Sequence, residues 1–198
     1  TALNPYLDGV LQIVEAHGGT VDKIVGDAVH SFFGAPEPQP DHAARAVACA
    51  LAIDAFAEAH RATAHRAGVP LGETRIGVDT GRAIVGNFGG RDRFDYTVYG
   101  DVINTAARLE SANRQFGTRI CATAEALAAA GVSGWRPIGT VRLAGKNEAA
   151  EIYTPARGDA AAYAAAFARL AAGDVAAART MLRQVLERDP QDGLSRFH

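Results

Sequence analysis

A chain of 198 residues with 48% apolar residues, 21% charged residues and a net charge of −2 has the make-up of a soluble globular domain with an appendage. The charge balance lacks the basic excess of a nucleic-acid-binding surface, so no nucleic-acid partner is expected, and no apolar run approaches the roughly 20 residues of a membrane-spanning helix. The two cysteines, Cys49 and Cys121, have neither metal nor redox spacing and read as buried free thiols in a reducing compartment.

In chain order, Asn4-Pro5 signals a helix start, Leu7, Val10, Leu11 and Val14 recur at helical spacing, and Gly18-Gly19 ends the helix. Two β-rich runs, Thr20 to Val25 and Ala28 to Phe33, flank Gly26-Asp27, which predicts a tight hairpin with glycine supplying the positive φ of a II′ turn. After a proline-rich loop, Asp41 is expected to cap an Ala-rich helix reaching about Arg66, with Val47, Leu51 and Asp54 along one line. Thr74 to Val78 and Arg82 to Gly86 read as a strand pair turning at Asp79-Thr80-Gly81, followed by a polar loop from Asn87 to Arg93 and a strand from Tyr96 to Tyr99. Asp101 opens a helix to about Gln115, Thr118 to Ala122 is a strand and Ala124 to Ala130 a short helix. Trp135 to Leu143 and Ala149 to Tyr153 form a last hairpin about Gly145-Lys146-Asn147. This irregular alternation of strands, hairpins and helices implies an α+β or mixed α/β domain, not a regular parallel sheet. Beyond Pro155 two helical patterns, Ala160 to Ala172 and Val175 to Arg188, are split by Gly173-Asp174 and carry apolar stripes suited to a packing hairpin.

Chemistry-bearing residues are sparse by spacing alone. Asn104 and Arg108 lie four apart and so share one helix face, and Gly100 delivers that helix N-terminus to a strand end, where an anionic ligand could be held. Asp27 sits at a hairpin tip and Lys23 on the strand before it, sharing a face with Val21 and Val25 if the strand is regular. Lys146 is a hairpin lysine, and Arg91 and Arg93 are loop charges. The six histidines show no metal spacing, and there is no Walker-type loop, nucleophile elbow or Cys-x-x-Cys pair. Each of these residues also has an ordinary structural reading, as cap, turn or solvated charge.

Three stretches together go further. His17-Gly-Gly-Thr-Val-Asp-Lys-Ile-Val-Gly-Asp27 with Phe33-Gly-Ala-Pro36 resembles the metal-binding hairpin of class III nucleotidyl cyclases. Gly81-Arg-Ala-Ile-Val-Gly-Asn-Phe-Gly89 and Asp95-Tyr-Thr-Val-Tyr-Gly-Asp-Val-Ile-Asn-Thr-Ala-Ala-Arg-Leu-Glu110 resemble the family's central motif, and Ala144-Gly-Lys-Asn-Glu148 its closing phosphate-binding hairpin. The resemblance implies a ferredoxin-like, palm-type antiparallel-rich sheet with helices on it, lacking its first strand. It covers a catalytic domain over residues 1–156, with a tetratricopeptide-like helical hairpin over 157–198.

The resemblance also assigns roles. Asp27 matches one of two aspartates that hold two Mg2+ or Mn2+ ions per site, Lys23 and Thr97 the purine-reading pair, and Asn104 the ribose-orienting asparagine. Arg108 matches the arginine that stabilises the transition state, Lys146 the triphosphate-binding lysine, and Arg93 a further phosphate-binding arginine. A lysine donates to N1 of adenine and a threonine oxygen accepts from the exocyclic amine, whereas guanine would want a carboxylate at position 23; the resemblance therefore implies an adenylate cyclase acting on ATP, with guanylate cyclase disfavoured. Shared sites in a head-to-tail homodimer are implied as well. The family's other metal aspartate belongs to an upstream Phe-x-Asp-x-x-Gly-Phe-like motif that nothing here replaces, Asp8 lying on the first helix, so the segment as written is expected to be inactive or nearly so. That gap leaves a non-catalytic dimerisation or nucleotide-binding module as the alternative. The helical tail resembles those that follow cyclase domains in some bacterial membrane receptors, which implies an upstream sensor or membrane domain, a cytoplasmic catalytic part and an inner-membrane anchor for the full-length protein.

Overall fold

The computed structural model describes residues 3–90, 94–146 and 148–198. Helix α1 runs Leu3–Ala16, so Asn4-Pro5 falls just inside it, and Val10 and Val14 are buried. It ends in a Schellman arrangement: Gly18, at φ +74°, donates to the Glu15 carbonyl at 2.8 Å, and Gly19 donates to that of Val14 at 2.9 Å. Strands β1 (Thr20–Val25) and β2 (Ala28–Phe32) form the expected hairpin. Gly26 takes φ +66° while Asp27 stays at negative φ, as a II′ turn requires.

Strand β1 is not regular. Val21 pairs with Ser31 but Lys23 pairs with His30, so Asp22 is an extra residue, and the alternation expected for Lys23 is broken there. Helix α2 (His42–Arg66) has Asp41 at its N-cap position, but the carboxylate accepts from Arg45 Nε at 2.8 Å instead of from a backbone N–H. Ala43, Val47, Cys49, Ala50 and Ala57 form its buried line, and Leu51 lies off it, 41% exposed.

The pairing expected between the strands around Asp79-Thr80-Gly81 does not form. Strand β3 is only Ile76–Val78 and lies parallel to β6 (Ile120–Thr123), while β4 (Ile84–Gly89) pairs antiparallel, over six residues, with β5 (Phe94–Tyr99). Gly81 does not adopt the positive φ of a tight hairpin glycine, and β4 gains a longer ladder by running on through Asn87, a position the sequence reads as loop. Helix α3 (Asp101–Phe116) then crosses β3 at close range: a Cβ on Gly77 would lie 1.9 Å from the Ala106 carbonyl oxygen, so only glycine fits. Asn113 anchors the crossing, its buried Nδ2 donating to the Ile76 carbonyl at 2.9 Å.

Helix α4 (Ala124–Ala130) follows, its N-terminus capped by Thr123, and β7 (Arg136–Arg142) and β8 (Ala149–Thr154) close the domain as an antiparallel hairpin. Among the described residues the strands make three sheets: β1-β2, β4-β5 and the four-stranded β3-β6-β8-β7. The result is the α+β arrangement expected, with antiparallel pairing predominant and β3-β6 the parallel exception.

Helices α5 (Ala160–Ala171) and α6 (Val175–Arg188) are capped by the side chains of Asp159 and Asp174. A short helix α7 (Gly193–Phe197), not anticipated past Pro190, turns back onto the body of the chain. Tyr163, Ala166, Leu182 and Leu194 share one apolar core with Leu109, Phe116, Ile138 and Ile152. A Cβ on Gly193 would meet the Gly117 carbonyl oxygen at 2.3 Å. Beneath this contact Arg136, 3% exposed, donates to Asp192 Oδ2 at 2.7 Å and stacks 3.8 Å over the Tyr163 ring. Among the described residues, no helix is long and apolar enough to cross a membrane.

Candidate active site

Five of the sequence-predicted residues, Lys23 and Thr97 on one side and Asn104, Arg108 and Lys146 on the other, fall into two groups. In the first, the hairpin β1-β2 leans on β5. Thr97, 5% exposed on β5, donates its hydroxyl to Asp22 Oδ1 at 2.5 Å, and Asp22 Oδ2 lies 3.2 Å from Lys23 Nζ. The bulge explains how adjacent residues act together: in a regular strand Asp22 and Lys23 would point to opposite faces, but the irregular register between Val21 and Lys23 releases that constraint. The Asp22 side chain is 2% exposed and that of Lys23 48%, so the carboxylate is enclosed while the ammonium reaches out. A ring contact between Phe32 and Tyr96, 6.3 Å between centroids, supports the same junction.

The second group surrounds the N-terminal turns of α3. Thr105 and Leu109 face the core, which leaves Asn104 exposed and Arg108 half-buried on the outer line. Arg108 reaches over the β7-β8 turn, where a Cβ on Gly145 would lie 3.2 Å from its guanidinium nitrogen; Gly145, at φ +69°, has none. The next residue, Lys146, forms an ion pair with Asp101 in the first turn of α3. Asp101 also satisfies the positive end of the helix, so the site expected for an anionic ligand carries a carboxylate of its own. That carboxylate is 74% exposed and the lysine side chain 21%, so the pair is open to solvent on its Asp101 side and contributes about 0–1 kcal/mol. Behind it, burial pushes the Asp79 carboxyl above its ordinary value despite a 2.7 Å hydrogen bond from Thr123 and the nearby Lys146 charge.

Asp27 stands exposed at the β1-β2 tip, and neither its side chain nor that of Asn104 makes a hydrogen bond or ion pair to either group among the described residues. No cluster of three or more His, Cys, Asp or Glu side chains able to hold a metal ion occurs among the described residues. Asp27 fits a hard cation as one carboxylate donor, the pattern Mg2+ uses when nucleotide phosphates complete its shell. Arg93 lies outside the described residues. A cavity of about 190 Å3 between β2, β3, β4, β5, α2 and α3 is lined by Phe32, Ile76, Asp79 and Val98 among others, and by none of the predicted site residues.

Sequence reasoning gave no site role to Asp22, Asp101 or Asp79, reading Asp101 as a helix start and Asp79 as a turn residue. The signal for Asp22 was a carboxylate beside a lysine inside an otherwise apolar β run, but its meaning depends on a bulge.

The model of the adenylate and guanylate cyclase catalytic domain matches residues 2–154. Adenylate cyclase 1 of Rhizobium meliloti is 37% identical over 152 residues, covering 76% of this chain and 23% of that protein. The chain spans about a quarter of the length of the curated relatives it matches. Among solved structures, the adenylyl cyclase CyaB from P. aeruginosa superposes with a TM-score of 0.71 at 33% identity, covering 79% of this chain and 81% of that one. The guanylyl cyclase Cya2 follows with a TM-score of 0.68 at 32% identity, covering 77% of each chain.

Proposed function

Because this chain belongs to the family of class III adenylate and guanylate cyclase catalytic domains, we propose that it makes 3′,5′-cyclic AMP and pyrophosphate from ATP. The observation that carries the choice of ATP is the junction of Lys23 and Thr97 through Asp22. An ammonium beside a threonine oxygen offers a donor to adenine N1 and an acceptor to the exocyclic amine. Guanine presents the reverse pattern, N1–H and O6, and would set donor against donor and acceptor against acceptor.

In this reading the ribose 3′-oxygen attacks the α-phosphorus, the bond to the bridging oxygen of the β-phosphate breaks, and the 3′-hydroxyl proton is lost. Asn104 orients the ribose and Arg108 takes up charge developing on the α-phosphate and the leaving oxygen. Lys146 leaves Asp101 for the triphosphate, with Arg93 as a further phosphate contact. A Mg2+ or Mn2+ ion held in part by Asp27 would neutralise phosphate charge and lower the proton affinity of the 3′-hydroxyl. In the proposed homodimer Asp27 of one copy serves the nucleotide held by the other. The exposed apolar side chains on the two hairpins, Val25, Ile84, Phe94 and Tyr99, each more than half exposed, support an interface there.

The test is cyclic nucleotide production from ATP and from GTP, with Mg2+ and with Mn2+, by the full-length protein. Cyclic AMP as the main product is expected; cyclic GMP would overturn the base assignment, and neither product would favour a non-catalytic nucleotide-binding module. Mixing Asp27→Ala with Asn104→Ala subunits should restore activity if sites are shared; proven heterodimers without activity would refute sharing.

A further inference from the structure

The Asp22 carboxylate is held where it can decide what the Thr97 hydroxyl offers a base. We propose that Asp22 is a specificity-determining positioning residue, which fixes Thr97 as a hydrogen-bond acceptor and so sets the preference for a 6-aminopurine over a 6-oxopurine nucleotide. The proposal rests on the reading of Lys23 and Thr97 as the purine-reading pair.

A threonine hydroxyl has one proton and two lone pairs, and its rotor turns to suit its partner. By itself it discriminates poorly, since it can accept from an amine or donate to a carbonyl oxygen. An ionised carboxylate can only accept. With Thr97 Oγ1 at 2.5 Å from Asp22 Oδ1, the single hydroxyl proton is committed to Asp22, and what remains toward a ligand is a lone pair. A 6-amino group donates to that lone pair; a 6-oxo group meets it acceptor to acceptor. The enclosure of Asp22 matters, because water cannot readily compete for the proton at a side chain 2% exposed, and charge-assisted hydrogen bonds are the strong ones. The second carboxylate oxygen faces Lys23 Nζ at 3.2 Å, so one carboxylate contacts both readers, and an ammonium with three donors keeps further donors for a ligand. The bulge at Asp22 is the backbone device that lets one carboxylate serve both readers.

Asp22→Asn tests this at constant shape. With Lys23 as a donor, the amide oxygen is expected to turn to the lysine and the amide N–H to Thr97, which frees the hydroxyl proton to point outward. The ratio of kcat/KM for ATP over GTP, measured on the full-length protein, should then fall about tenfold or more, since mispaired polar groups are a large source of substrate discrimination. In a Thr97→Val background the same substitution should leave the ratio unchanged, because the effect runs through the hydroxyl; a merely structural role would lower both rates alike in either background. Should Asp22→Asn not fold, as judged by its melting curve, Asp22→Ser removes the obligate acceptor and is expected to show the same fall. An unchanged ratio in a folded Asp22 variant overturns the proposal while leaving the cyclase reading intact. A wild-type protein with no preference for ATP overturns the reading beneath it.

Discussion

Replacing Asp192 by alanine removes the partner of a charge that the fold has already taken out of water. Asp192 is 4% exposed and Arg136 3%. The carboxylate accepts from Arg136 Nη2 at 2.7 Å and from Ser195 Oγ at 2.6 Å, and it caps α7 through the Ser195 N–H. Truncation leaves the guanidinium enclosed with Tyr163 and Ser195, its Nε already without a hydrogen-bond partner among the described residues. Removing one member of a buried ion pair costs about 3–5 kcal/mol. At about 2–4 °C per kcal/mol for a chain of this size, the melting temperature should fall by about 6–20 °C. Calorimetry or circular dichroism melts of the single variant, beside Arg136→Met/Asp192→Ala, would measure it. The double variant buries no unpaired charge and should recover all but roughly the 1 kcal/mol of a lost cap. Burial alone would push the Asp192 carboxyl up, but hydrogen bonds from Arg136 and Ser195 and the Arg136 charge outweigh it and bring it below 3.8. A carboxylate depressed in the folded state contributes stability that is present above the unfolded value and lost as pH falls through the folded one. The gap between wild type and Asp192→Ala should therefore narrow below about pH 4. A melting point within about 2 °C of wild type, or a double variant no better than the single, would show that this pair does not hold the tail to the body.

Arg108→Ala should lower kcat by about 10²–10³-fold with little change in KM, because the proposed contact strengthens only as charge develops; steady-state kinetics with an unchanged kcat would remove Arg108 from that role. Gly77→Ala places a methyl 1.9 Å from the Ala106 carbonyl oxygen and 2.6 Å from the Glu110 nitrogen, so α3 must move. A loss of about 1–3 kcal/mol or more in urea titrations is expected, together with loss of cyclase activity, since Asn104 and Arg108 ride on that helix; a wild-type urea midpoint would refute the close crossing. Burial pushes the Cys49 thiol up to about 11 and the Cys121 thiol up to about 12. Neither should react with an aromatic disulfide reagent in the folded protein at pH 8, and both should react in denaturant; one fast thiol in the native state would contradict the packing of α2 or β6.

The features legible in the sequence are those set by residues close along the chain. Gly18-Gly19 closes α1, Gly26 turns the first hairpin, Gly100 and Asp101 open α3, and Asn104 and Arg108 share its outer line because four residues make about one helical turn. The motifs on those elements were enough to identify the family, which the match over residues 2–154 bears out. Tertiary structure alone decided the pairings that local chemistry leaves open. β4 chose β5 over β3 because the longer ladder lies that way and β3 is held under α3 by Gly77. The Thr97–Asp22 bond joins residues 75 apart, the Lys146–Asp101 pair 45 and the Arg136–Asp192 pair 56. A carboxylate's partner at such separations depends on where whole elements pack and on a one-residue bulge in a ladder, and neither is encoded in a window of neighbouring residues.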